Sequence, residues 1–342
     1  MCMYSSAPAG DSAGVPTDFH FAHLAARALG GAGLVMAEST AVSAKGRISL
    51  YDLGLWNDTQ AESFTRITDF IRGQGGVPAV QLGHAGRKAS TAAQWDDAVH
   101  VGVADGGWES VAPSAVAYHG YAVPRALGVA EIDTLTAEFA AAASRALAAG
   151  FEVVEVHAAH GYLLHQFLSP QTNRRTDDYG GSFENRIRLA VEIVDAVRAV
   201  WPERLGLLFR LSATDWLTEN PDDERMGWTV EESVELARVL SRRGVDMIDV
   251  SSGGLVHDAV IATGPGYQVP LSRAVRRGAG IPVSAVGLIT DPVQADRVIG
   301  DGDADAIFLG RELLRDPNWI HRAAVSLGHE PSWPIQYGWA VG

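Results

Sequence analysis

Two imidazoles three residues apart, followed two positions later by a phenol, stand in the segment Val153-Val154-Glu155-Val156-His157-Ala158-Ala159-His160-Gly161-Tyr162. The apolar run before His157 reads as a strand, and a helical turn starting at its end would put His157 and His160 on one face. Together they could donate two hydrogen bonds to one carbonyl oxygen. That would stabilise the enolate charge that develops when hydride arrives at a β-carbon, an effect of roughly 10²- to 10³-fold per donor. Tyr162, with a reference pKa of about 10, is neutral at pH 7 and can protonate the α-carbon. Two other readings stand beside this one. His-x-x-His can ligate Zn²⁺ in a metal-dependent hydrolase, although Glu155 lies on the strand and no other histidine-rich or cysteine motif has metal spacing. Both histidines can equally be satisfied structural residues.

The elements that must position these side chains alternate along the chain. Apolar runs at Leu34 to Glu38, Pro78 to Leu82, Val153 to His157, Gly206 to Leu211, Asp246 to Val250, Val283 to Val286 and Ala306 to Leu309 read as seven strands. Helical periodicity marks eight segments: Asp18 to Leu29, Asp58 to Gln74, Ile132 to Ala149, Phe183 to Trp201, Val230 to Arg243, Val269 to Gly278, Pro292 to Ile299 and Pro317 to Leu327. Asp58 and Thr229 read as N-caps; Pro292 and Pro317 sit near a first turn after Asp291 and Asp316. This βα rhythm predicts an α/β fold of the (β/α)₈ TIM-barrel type in a single domain over residues 1–342. It is one strand short of eight, so a first strand missing or trimmed from the given N-terminus is expected beside Leu34 to Glu38. Active sites of such barrels form at the C-terminal strand ends, and the long loop 83–130 follows a strand at that end as a cap.

Composition narrows the partners. The formal net charge is −14, which would repel a phosphate backbone, so nucleic acid is not expected and an anionic ligand needs a local arginine pocket. Cys2 is the only cysteine; no internal disulfide can form, and a reducing, cytoplasmic compartment fits. No apolar stretch is long enough to span a bilayer, and no membrane association is expected.

The stretch His157 to Tyr162 continues through Gln166-Phe167-Leu168-Ser169-Pro170 into Asn173-Arg174-Arg175-Thr176-Asp177-Asp178-Tyr179-Gly180-Gly181-Ser182-Phe183-Glu184-Asn185-Arg186. Here the chain resembles the Old Yellow Enzyme family. The likeness spans nearly the whole sequence: Met1-Cys2-Met3-Tyr4, Gln81-Leu82-Gly83-His84-Ala85-Gly86-Arg87, Phe209-Arg210-Leu211-Ser212, Ser284-Ala285-Val286-Gly287 and Leu309-Gly310-Arg311-Glu312-Leu313-Leu314. The cysteine in the first of these points to the thermophilic-like ene-reductase subclass.

What the resemblance implies is specific. FMN would lie across the strand ends with Gln81 and Arg210 on its pyrimidine-dione edge, and Gly287, Gly310 and Arg311 would hold its phosphate. Cys2 and Tyr4, on the end of the first strand, would modulate the flavin and contact the substrate. NADPH or NADH would reduce FMN, which would pass hydride to a small-molecule alkene activated by a carbonyl, nitro or imide group, with its oxygen on His157 and His160. The chain departs from the family pattern where Ser39 replaces an alanine beside the flavin and where Gly83 replaces another. Gln336-Tyr337-Gly338-Trp339 carries no arginine to reach into a neighbour's site, although a homo-oligomer, dimer or tetramer, is implied. A related flavin barrel acting on dienoyl thioesters would need an iron–sulfur cluster, which one cysteine cannot hold. A non-catalytic flavin-binding sensor is the remaining alternative.

Overall fold

The computed structural model describes residues 2–96 and 99–341; Met1 of the Met1-Cys2-Met3-Tyr4 stretch and two positions of the loop 83–130 lie outside them. The chain begins with α1 (Asp18–Leu29), β1 (Leu34–Ala41), α2 (Asp58–Gly73) and β2 (Val77–Gly83). The loop holds the two-residue strands β3 (Val111–Ala112) and β4 (Arg125–Ala126) and leads to α3 (Val129–Ala148). Then follow β5 (Val153–Ala158), α4 (Leu163–Leu168), α5 (Phe183–Val200), β6 (Gly206–Ser212), α6 (Val230–Ser241) and β7 (Met247–Ser251). The last elements are α7 (Val269–Ala279), β8 (Val283–Ala285), α8 (Pro292–Gly300), β9 (Ala306–Ile307), α9 (Arg311–Arg315), α10 (Trp319–Ser326) and α11 (Ile335–Val341).

Seven strands pair in parallel in the order β1-β2-β5-β6-β7-β8-β9, at all seven places where an apolar run was expected. The result is a (β/α) barrel of TIM type. Among the described residues, β1 and β9 do not pair, and between them opens a cavity of about 420 Å³ lined by Leu34, Met36, Ala306 and Phe308. Helix starts follow local chemistry. Asn57, not Asp58, caps α2 by accepting from Gln60 N, and Thr229 caps α6 with Glu232 completing a capping box. Asp291 caps α8, whereas Pro317 precedes α10, which starts at Trp319. The first-strand placement of Cys2 and Tyr4 is not met: among the described residues they lie in backbone outside any strand, tied by Met3 N donating to Glu38 Oε1 at 2.9 Å.

Strand periodicity stratifies the barrel interior. Outward residues such as Val80, Val154, Val156, Phe209 and Ile248 are buried beneath the helices. Inward, Met36, Ala79, Val153, Leu208, Met247 and Phe308 make an apolar floor. Two residues further along the same strands, the inward positions are Glu38, Gln81, Glu155, Arg210 and Asp249, a polar row above that floor.

Candidate active site

Strand β5 carries the chemistry. His157 occupies the inward position after Glu155, is 4% exposed, and its Nδ1 is buried without a hydrogen-bond partner. No helical turn follows, contrary to the expectation. His160 instead takes a left-handed backbone (φ 58°), and Gly161 follows at φ 73°. That double reversal brings the two imidazoles to 5.3 Å between ring centroids and Tyr162 to 5.2 Å from His157. A left-handed conformation is costly for a residue with a Cβ, so the surroundings must hold it. His160 N donates to Ser212 Oγ at 2.9 Å, and its Nε2 lies 2.7 Å from Ser251 Oγ. Gly161 N donates to His165 Nδ1 at 2.9 Å, and the other ring nitrogen of His165 lies 2.9 Å from Asp215.

Electrostatics set the protonation states. Burial, with the Arg210 charge second, holds His157 and His160 well below the usual histidine pKa, so both are neutral at pH 7. Burial pushes the Tyr162 phenol well above its ordinary value, keeping its proton in place. The Cys2 thiol is raised by burial and by Asp52 and Glu38, which keeps it a thiol. Tyr4 packs edge-on against Trp95 at 5.7 Å.

Several groups escaped the sequence reading. Lys88, one residue beyond the Gln81-to-Arg87 motif, donates to His160 O at 2.8 Å and Gly254 O at 3.0 Å. Its ammonium sits 5.1 Å over the Tyr162 ring, and burial lowers its pKa to about 8. Arg87 donates to Leu255 O at 2.6 Å and to Val116 O and Ala117 O, tying the loop 83–130 across the site. The Asn173 to Arg186 segment, which carries the resemblance most strongly, is architectural. Asn173 Nδ2 bonds Phe167 O and Tyr179 O at 2.7 Å each, Arg175 Nη1 reaches Pro113 O and Leu127 O, and Arg186 reaches Leu168 O and Glu232.

Beside the polar row lies a cavity of about 260 Å³ lined by Glu38, Gln81, Glu155, Arg210, Asp249, Gly287, Gly310 and Arg311, among others. Arg210 Nε is 3.2 Å from Asp249 Oδ2 but forms no well-aligned hydrogen bond. Gly287 has φ 115°, a backbone that a side chain would strain, and a Cβ there would meet Gln268 Nε2 at 2.5 Å. Orphaned polar atoms, among them the donor Arg210 Nε, a bare glycine edge and an arginine at the far end suit a planar polar ring carrying a phosphate. Residues 1–330 match the NADH:flavin oxidoreductase / NADH oxidase family. The chain belongs to this family. It is an NAD(P)H-dependent flavin oxidoreductase with FMN as its cofactor.

Relatives of this family bear that out. The NADPH dehydrogenase of Listeria welshimeri is 46% identical over 338 residues, covering 98% of this chain and 92% of the relative. The NADPH dehydrogenase of Bacillus subtilis is 43% identical, covering 99% and 93%. In structure, morphinone reductase superposes with a TM-score of 0.76 at 30% identity, covering 98% of this chain and 86% of its own. An old yellow enzyme homologue from Zymomonas mobilis reaches 0.74 at 29% identity, covering 97% and 89%. No helix among the described residues is long and apolar enough to cross a membrane.

Proposed function

We propose that this flavin oxidoreductase is an ene-reductase that delivers hydride to the β-carbon of an alkene conjugated to a carbonyl, nitro or imide group. The observation that carries the reading is the His157–His160–Tyr162 cluster at the end of β5, one inward position above the polar row. FMN, when bound, supplies the hydride carrier between NAD(P)H and the alkene. Gln81 and Arg210 would hold its pyrimidine edge, and Gly287, Gly310 and Arg311 its phosphate. Cys2 and Ser39 would line its ring.

The substrate oxygen would accept hydrogen bonds from neutral His157 and His160. Neutral imidazoles each offer one N–H without placing a second cation beside Arg210, and His157 Nδ1 has no other partner to leave. Tyr162, whose proton is held by burial, gives it up only to a base as strong as a substrate carbanion. Tyr4 would flank the bound alkene. A homo-oligomer belongs to the same reading, supported by α11, whose Ile335 and Trp339 are each 85% exposed. Anaerobic titration of the purified protein with NADPH and then an enone, followed by flavin absorbance, tests the function. Bleaching followed by recovery is expected; bleaching that no enone, nitroalkene or maleimide reverses would overturn it.

A further inference from the structure

Within the polar row, two acidic side chains flank Arg210: Glu155 on β5 and Asp249 on β7, 1% and 0% exposed. Gln81 Nε2, on β2, donates to Glu155 Oε1 at 2.6 Å; Ser284 Oγ, on β8, donates to Asp249 Oδ1 at 2.7 Å. Each carboxyl then keeps one buried oxygen, Glu155 Oε2 and Asp249 Oδ2, without a well-formed hydrogen bond. Two carboxylates beside one guanidinium would leave an uncompensated buried negative charge, which is costly. One proton shared by the pair removes it. The other titratable and charged groups around this cavity are Glu38 on β1 and Arg311, Glu312 and Arg315 beyond β9, with neutral His157 above on β5.

We propose that Glu155 carries the single proton of a Glu155–Asp249 pair and is a positioning residue that sets the charge beneath the cofactor's pyrimidine edge. Neutral, it fixes the Gln81 amide and leaves Arg210 one carboxylate partner. Ionised, it opposes the negative charge that the reduced ring brings to Arg210. The inference rests on Gln81 and Arg210 meeting that edge. Burial first, then the charge of Asp249, raises the Glu155 pKa to about 8. With Arg210 holding the reduced ring as its anion, two-electron reduction would bring one proton to the cofactor. Above about pH 8 a second would pass from solvent onto the Glu155 carboxylate, whose protonation the negative charge of the reduced ring favours, with no other bond made or broken.

The midpoint potential of the holoenzyme, followed from pH 6 to 10 against reference dyes, reads this directly. Wild type is expected to double its slope above about pH 8, Glu155→Gln to keep the one-proton slope throughout, and Asp249→Asn to move the break to lower pH. An unbroken wild-type slope, or a break that survives in Glu155→Gln, overturns the coupling. Infrared spectra of the apoprotein at pH 7 read the pair without any cofactor: the carbonyl stretch of a protonated carboxylic acid is expected in the wild-type minus Glu155→Gln difference spectrum, any stretch left in the variant belonging to Glu38, which burial raises to about 7. Its absence from the difference spectrum overturns the shared proton. Failure to reduce enones would sink the functional reading alone and leave both signals in place.

Discussion

At the scale of single residues, the two half-reactions can be pulled apart at Tyr162. On the proposed reading its phenol would act only after hydride has reached the substrate, so Tyr162→Phe should leave flavin reduction by NADPH unchanged while slowing reoxidation by an enone about 10²- to 10⁴-fold. A nitroalkene, whose nitronate is stable without protonation, should still be reduced. Stopped-flow traces decide this; equal slowing of both half-reactions would make Tyr162 a wall of the pocket. A phenol should likewise bind with its oxygen at His157 and His160 and produce a long-wavelength flavin band. Intact phenol affinity in the doubly substituted His157→Ala, His160→Ala protein would place the anion pocket elsewhere. If Arg210 meets the pyrimidine edge as proposed, Arg210→Ala removes a charge-assisted contact worth roughly 1.5 to 3 kcal/mol, and should weaken FMN retention or slow its reduction. Equilibrium dialysis and rapid-reaction kinetics measure the two, and no change in either would reject the assignment.

At the scale of elements, two departures from the family pattern belong to one contact. A Cβ on Gly83, at the end of β2, would lie 2.9 Å from Ser39 Oγ on β1, so the extra hydroxyl occupies the space that the missing methyl leaves. Gly83→Ala should cost about 1 kcal/mol by overpacking, and the cost should largely vanish when Ser39→Ala is added. A denaturant-unfolding cycle that proves additive would separate the two positions. The strands were legible because each is a continuous apolar run, and most helices because their stripe repeats over three or more turns. Helices α4, α9 and α11 were not: six, five and seven residues are too few to show a period. His157, His160 and Tyr162 were legible because six consecutive positions hold them. Lys88, Ser212 and Ser251 were not, since they reach His160 from 72, 52 and 91 residues away, separations that only the packing of neighbouring strands and loops converts into contact. Asp249 had a signal that could have been followed, a charge inside an apolar strand, as Arg210 has.

At the scale of the whole molecule, buried acids make stability fall as pH rises. Burial raises Glu38 to about 7 and Glu155 to about 8, so between pH 6.5 and 8 the folded chain holds protons that the unfolded chain has lost. Their contribution is intact below the unfolded carboxyl pKa of about 4 and disappears as pH climbs through the folded values. The buried histidines act in the opposite sense up to about pH 7, because their folded pKa values lie beneath the unfolded value of about 6.5 and the unfolded chain still binds protons there. Apoprotein melting temperature should therefore drop from about pH 7.5 to about 8.5, where the acids act alone, and Glu155→Gln should flatten the drop; a flat wild-type profile would contradict the sign.

The unpaired edges of β1 and β9 grade the molecule's resistance to solvent exchange. Strands β5 and β6 have a neighbour on both sides, whereas β1 and β9 each present one row of backbone amides or carbonyls to the gap between them. Deuterium should therefore enter first at Leu34 to Met36 and at Ala306 and Ile307, and last at Val154 to His157 and Leu207 to Arg210. On the proposed placement of FMN, the end of the cavity that takes its phosphate, beyond β9, would then sit on the most readily opened part of the barrel. The His157 end would sit on the part that opens only with the whole fold, so the cofactor's tail could loosen in native conditions while the groups that meet its ring stay fixed.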